Sequence, residues 1–279
     1  MGLMTGTGPL SRTPAGAFNF EPPAGGALYL EPTAKRIRVM VGDVTIADSV
    51  RAWIMSETNV QPVYYFPPDD VRAGVLVPSE RQTHCAKKGD ARYFSIKVGD
   101  RVIENGAWTY AEPIDGAPSF GGMIAFYWDR MDRWFEEEVE MFVHPRDPYH
   151  RLDVLPSSRH VRISRDGELL AESHTAIALF ESNLPTRWYL PREDVRAELV
   201  ANDTVTRCGY KGTAAYYSVK LASGETAENL VWYYPEPFDE ARLIADRLCF
   251  LGELVDIVVD GVLQESPATA WSRGIRTEH

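Results

Sequence analysis

Thr83-His84-Cys85-Ala86-Lys87-Lys88-Gly89 returns later in the chain as Thr206-Arg207-Cys208-Gly209-Tyr210-Lys211-Gly212. Each copy is followed by an aromatic pair and a serine, Tyr93-Phe94-Ser95 and Tyr216-Tyr217-Ser218. A chain that repeats so specific a word is constrained to build the same local structure twice, each time presenting a thiol and an amine from one tight loop. The repetition extends far beyond the loop. Asp70-Val71-Arg72 matches Asp194-Val195-Arg196 at an offset of 124, which also pairs Arg38 with Arg162, Glu57 with Glu181, Asn59 with Asn183 and Pro67 with Pro191. One residue is lost just before the second Cys. The register then returns for Glu104-Asn105-x-x-Trp108-x-Tyr110 against Glu228-Asn229-x-x-Trp232-x-Tyr234, and persists to Phe126 and Phe250. Short periods indicate solenoids, but copies of this length indicate two tandem domains.

Within each copy the signal is mainly β. Ile37 to Ile46 and Val161 to Leu170 read as hairpins turning at Gly42-Asp43 and Asp166-Gly167. Ala91 to Val98 and Ala214 to Leu221 are short strands rich in aromatic and β-branched residues, turned at Gly99-Asp100 and Ser223-Gly224. Near-helical spacing of Leu243, Ile244, Leu248 and Phe250 predicts a helix over 240–250, with a shorter partner over 122–129. The expectation is two small antiparallel β domains, each with one short helix, packed about a pseudo-two-fold. Their bounds are 34–143 and 159–265. A disordered lead-in (1–33), rich in Gly, Pro, Ala and Thr, precedes them. A Pro-rich linker (144–158) joins them, and a tail (266–279) follows.

Charge and cysteine usage bound the function. The formal net charge is −11, and both halves are acidic with no basic stripe. Binding of nucleic acid through phosphate neutralisation is therefore not expected, nor is adhesion to an anionic membrane. No apolar run is long enough to span a bilayer, and the N-terminus is not read as a secretory signal. Three cysteines, Cys85, Cys208 and Cys249, show no pairing pattern, which fits a reducing cytoplasm.

The chemistry-bearing candidates lie in the repeated words. A thiol is nucleophilic as thiolate, so a nearby cation matters. An ammonium about 5 Å away, at an effective dielectric near 20, stabilises a thiolate by roughly 3 kcal/mol before screening. Cys85 and Cys208 therefore have two readings, reactive thiol or small buried hydrophobe. Lys88 and Lys211 either hold a phosphate or carboxylate as a point charge or are solvated surface residues. On a regular strand Glu104 shares a face with Trp108, and Glu228 with Trp232. Each carboxylate is either a general base or ligand anchor beside an indole wall, or one half of an ion pair. His144, Asp147, His150 and Asp153 lack the regular spacing of a metal site. No phosphate-loop, dinucleotide or nucleophile-elbow fingerprint occurs.

Thr-x-Cys-x-x-Lys-Gly, then Tyr-x-Ser, then Glu-Asn-x-x-Trp-x-Tyr resemble a bacterial and fungal family called domain of unknown function 427. Ala125-Phe126-Tyr127-Trp128-Asp129-Arg130 and His144-Pro145-Arg146-Asp147-Pro148-Tyr149-His150-Arg151 are similar to its tandem form. The resemblance covers nearly everything after residue 35. The family usually has Pro after the Cys, where this chain has Ala86 and Gly209. The resemblance implies a β-tent, a fold shared with methionine-sulfoxide reductase B and the ligand-binding domain of cereblon. Those relatives often hold zinc on two Cys-x-x-Cys pairs. This chain has no such pair, so no metal or other cofactor is expected. A nucleotidyltransferase-like label attached to the family finds no matched carboxylate pair here in support, and shared fold does not confer activity.

The resulting expectation is a small-molecule binding protein with one pocket per repeat, favouring a ligand with an anionic group. One site would hold Cys85, Lys88, Tyr93, Glu104 and Trp108, and the other Cys208, Lys211, Tyr216, Glu228 and Trp232. The alternative is a thiol-dependent enzyme with Cys85 and Cys208 as nucleophiles activated by lysine.

Overall fold

Alternating apolar residues and frequent turn signals produce the expected result, short strands in antiparallel sheets. The computed structural model describes residues 2–269 and Ser272, which divide into two units, Met1–His150 and Arg151–His279. The first unit contains β1 (Leu28–Pro32), β2 (Ile37–Val41), β3 (Val44–Ser49), β4 (Trp53–Glu57), β5 (Val60–Phe66), β6 (Leu76–Cys85), β7 (Gly89–Val98), β8 (Arg101–Tyr110), β9 (Ile124–Phe126), β10 (Arg133–Glu136) and β11 (Val139–Met141). These form a seven-stranded sheet, β1-β4-β5-β9-β8-β7-β6, and a four-stranded sheet, β11-β10-β2-β3.

The second unit repeats the plan. Its strands are β12 (Leu152–Pro156), β13 (Val161–Arg165), β14 (Glu168–Ser173), β15 (Ile177–Glu181), β16 (Arg187–Leu190), β17 (Glu198–Cys208), β18 (Gly212–Lys220), β19 (Thr226–Tyr233), β20 (Leu248–Phe250), β21 (Asp256–Val259) and β22 (Val262–Leu263). The sheet orders are β12-β15-β16-β20-β19-β18-β17 and β14-β13-β21-β22. Among the described residues no helix is long and apolar enough to cross a membrane.

The large sheet of the first unit buries both faces, and β5 shows how. Tyr64 and Phe66 join Ile37, Val39 and Trp134 in the core between the two sheets. Tyr65 points the opposite way, into a second cluster with Met55, Tyr93, Tyr110 and Phe120. Strand alternation thus delivers aromatic residues to both sides. The second, aromatic cluster floors the candidate site.

Three local expectations need correction. The short helices form only in part of their expected ranges, and as 3-10 helices. Ile124–Phe126 and Leu248–Phe250 are central strands, all three residues buried in each. The 3-10 helices beside them are Trp128–Arg130 and Asp239–Ile244. A brief apolar run buried on both faces has no periodicity by which to tell strand from helix. The linker is also shorter than expected, because β12 lies within it. Pro156 ends that strand, paired with Ile177, and an edge strand tolerates proline because only one side of its ladder is bonded. Lastly, the lead-in is tied down rather than disordered. β1 falls inside it, Met4 is buried, and the Met4 carbonyl accepts the Asn59 N–H at 2.8 Å. The expected tail falls largely outside the described residues.

Candidate functional site

The repeated Cys-x-x-Lys-Gly word is a hairpin turn. Cys85 pairs with Gly89 across β6 and β7, and Cys208 with Gly212 across β17 and β18. In the first copy the Lys88 N–H closes the turn on the Cys85 carbonyl at 3.1 Å. Gly89 and Gly212 have φ of 97° and 100°, a region that essentially only glycine occupies comfortably. The lysine carbonyl then holds the following loop, since Lys88 O accepts the Ile114 N–H at 3.2 Å and Lys211 O accepts the Phe238 N–H at 3.1 Å. The repeated spacing of the word therefore fixes where the lysine side chain leaves the sheet.

In the first copy that side chain meets Glu57, at the end of β4. One Glu57 oxygen accepts from Lys88 Nζ at 2.5 Å and the other lies 2.6 Å from Lys87 Nζ. Burial drives the Glu57 pKa upward, but the two ammonium groups outweigh it and hold the carboxyl below its usual range. Two cations on one carboxylate leave this cluster with positive charge in excess. Lys88 and Glu57 project into a cavity of about 420 Å³ whose walls include Tyr65, Tyr93, Trp108 and Tyr110. Trp128 and Tyr127 close another side, and Asp129 stands at the exposed rim.

The aromatic walls are held by their polar ends. The Tyr93 hydroxyl bonds Thr83 Oγ1 at 3.0 Å, and the Tyr216 hydroxyl bonds Thr206 Oγ1 at 2.8 Å. The first residue of the repeated word thus anchors the aromatic residue that follows it. Trp232 Nε1 donates to the Tyr189 hydroxyl at 3.0 Å. Burial raises the Tyr65 and Tyr110 pKa values well above the ordinary phenol, so both remain neutral donors. Tyr127 packs on Trp108 with ring centroids 4.6 Å apart.

Not every expected residue reaches this place. Lys88, Tyr93 and Trp108 do. Cys85 is half-buried at the start of the turn and is not part of the cavity wall. Glu104 and Glu228 are exposed, which corrects their placement beside the tryptophans. The cause is a bulge in which Asn105 and Asn229 adopt φ of 51° and 53°, so the strict alternation that would align Glu with Trp is broken. The motif serine supports the bulge. Ser95 Oγ accepts the Asn105 N–H at 3.2 Å, and Ser218 Oγ accepts the Asn229 N–H at 3.3 Å. Glu228 takes a bond from Ser218 at 2.7 Å. The carboxylates that do belong to the site are Glu57 and Glu181, a repeated pair whose recurrence at the 124-residue offset was the available signal.

The second copy keeps the lysine–glutamate contact, with Lys211 Nζ bonded to Glu181 Oε2, both residues buried. Burial opposes the Lys211 charge, but Cys208 and Glu181 outweigh it and raise the ammonium pKa. Tyr216 and Trp232 are buried beside it and Cys208 is half-buried. A second ion pair fills the neighbouring space. Arg187 donates to both oxygens of Glu253, at 2.8 and 2.7 Å, and its guanidinium lies 5.3 Å from the Trp232 ring centroid. The Cys249 thiol, fully enclosed nearby, is pushed by burial up to about 12. Among the described residues no three His, Cys, Asp or Glu side chains are grouped to hold a metal ion.

A family model described as a domain of unknown function (DUF427) matches residues 29–137 and again 153–261. No curated protein matches the chain.

Proposed function

Since the chain belongs to the DUF427 family in two tandem copies, we propose that it is a small-molecule binding protein whose first copy receives a flat, largely apolar ligand bearing an anionic group. The observation carrying this reading is the cavity of about 420 Å³ into which Lys88 and Glu57 project between aromatic walls. Small-molecule sites have volumes of roughly 300–1,000 Å³ and combine apolar linings with a few placed polar groups. The excess cation at Glu57 supplies the preference for an anion. Asp129 has the opposite charge, but it is exposed at the rim, where solvent weakens its effect.

The thiol-enzyme alternative is less well supported. It needs a thiol in the cavity, and Cys85 is not part of the cavity wall.

The test is a thermal-shift series of aromatic carboxylates beside their neutral amides. The acids are expected to raise the Tm of the parent chain more than the amides do. In Lys88→Met the difference should disappear, because a charge-assisted bond is worth about 1.5–3 kcal/mol, roughly tenfold or more in affinity. Equal shifts for acids and amides in the parent chain, or none for either, would remove the proposal.

A further inference from the structure

The two copies keep the same lysine–glutamate pair but differ in the space beside it. At the 124-residue offset, Val63 corresponds to Arg187, Trp128 to Gly252 and Asp129 to Glu253. In the first copy Val63, Trp128 and Asp129 line the cavity, with Val63 and Trp128 half-buried and Asp129 exposed. In the second copy the side chains of Arg187 and Glu253 are 8% and 0% exposed. A Cβ placed on Gly252 would lie 3.5 Å from Arg187 Nη1, so the guanidinium lies against the position from which the tryptophan side chain leaves the backbone in the first copy. It covers the face of Trp232, which is 8% exposed, whereas its counterpart Trp108 is half-buried and faces the cavity.

We propose that the second copy carries its own built-in occupant, the Arg187–Glu253 pair, and that the chain therefore binds one ligand, in the first copy alone. The inference rests on the binding reading above and narrows it from two pockets to one. The Arg187 fork delivers a planar cationic group against the Trp232 ring and satisfies it with a bidentate carboxylate. A ligand would have to displace both partners of that buried pair. Losing Trp128 to Gly252 gives the guanidinium its room, and enlarging Asp129 to Glu253 lets the carboxylate reach it.

The test uses 1-anilinonaphthalene-8-sulfonate, an aromatic anion, titrated calorimetrically into the 279-residue chain. The parent chain is expected to bind one equivalent. Val63→Arg with Asp129→Glu transplants the second copy's pair into the first and should weaken binding at least tenfold. Val63→Phe fills the same space without charge and should do likewise, which keeps the test valid if the transplant does not fold. Circular dichroism monitors folding of both variants. Two equivalents bound by the parent, or one equivalent that withstands both variants, would overturn the inference while leaving the cavity reading in place. Absence of bound dye in a folded parent chain would remove both.

Discussion

Glu253→Ala is expected to lower the stability of the second unit by about 3–5 kcal/mol. The Glu253 side chain is fully enclosed and receives two bonds from Arg187. Thr269 adds a third at 2.6 Å. Removing the carboxylate leaves a guanidinium buried with its principal counter-charge gone, and desolvation of that cation dominates the result. Replacing both partners by leucine is expected to be close to neutral, or stabilising by about 1–4 kcal/mol, because the desolvation cost of both charges is removed together. Chemical denaturation of the parent, the single variant and the double variant checks the pair. A double variant as unstable as Glu253→Ala would mean that packing, rather than charge, accounts for the loss.

Gly89→Val is expected to destabilise the first unit by about 2–6 kcal/mol, the sum of backbone strain of about 1–3 kcal/mol and crowding of about 1–3 kcal/mol. Gly89 has φ of 97°, and a Cβ there would lie 3.0 Å from Ile114 Cγ2 and 3.4 Å from the Ile114 nitrogen. The neighbouring loop would have to retreat, breaking the Ile114 bond to the Lys88 carbonyl and releasing the lysine from its fixed exit angle. Gly224→Val separates the two contributions. Gly224 has φ of 87° with open space around its Cβ position, so that variant carries strain alone and should cost about 1–3 kcal/mol. Equal losses at the two positions would show that the approach of Ile114 has no energetic consequence.

Much of the fold was legible because turn residues and duplication reinforce each other. Asp166-Gly167, with both φ values positive, forms the two-residue turn its sequence announces. What escaped reading was decided by burial and by single backbone conformations. Ile124-Ala125-Phe126 has no polar residue to set a period, so its place in the middle of the sheet depends on neighbours far along the chain. Glu104 and Trp108 were aligned by strict alternation, and the left-handed Asn105 between them undid that alignment. Glu57 was visible as a repeated residue, but nothing near it in sequence names its partner. The contact with Lys88 spans thirty-one positions and is created by sheet order. Thr83 and Tyr93 illustrate the opposite case: Thr83 stands opposite Ala91, which makes Tyr93 its diagonal neighbour, so the shared face follows once the hairpin register is known.

Cys249 gives the molecule a timekeeper. Its sulfur is sealed in a central strand and its ionisation is displaced to about 12, so at neutral pH it offers a maleimide almost no thiolate. Cys85 and Cys208 are half-buried and lack that enclosure. Under native conditions conjugation should therefore stop at two additions per chain. The slow arrival of a third mass increment would measure how often the second unit's sheet parts at its centre.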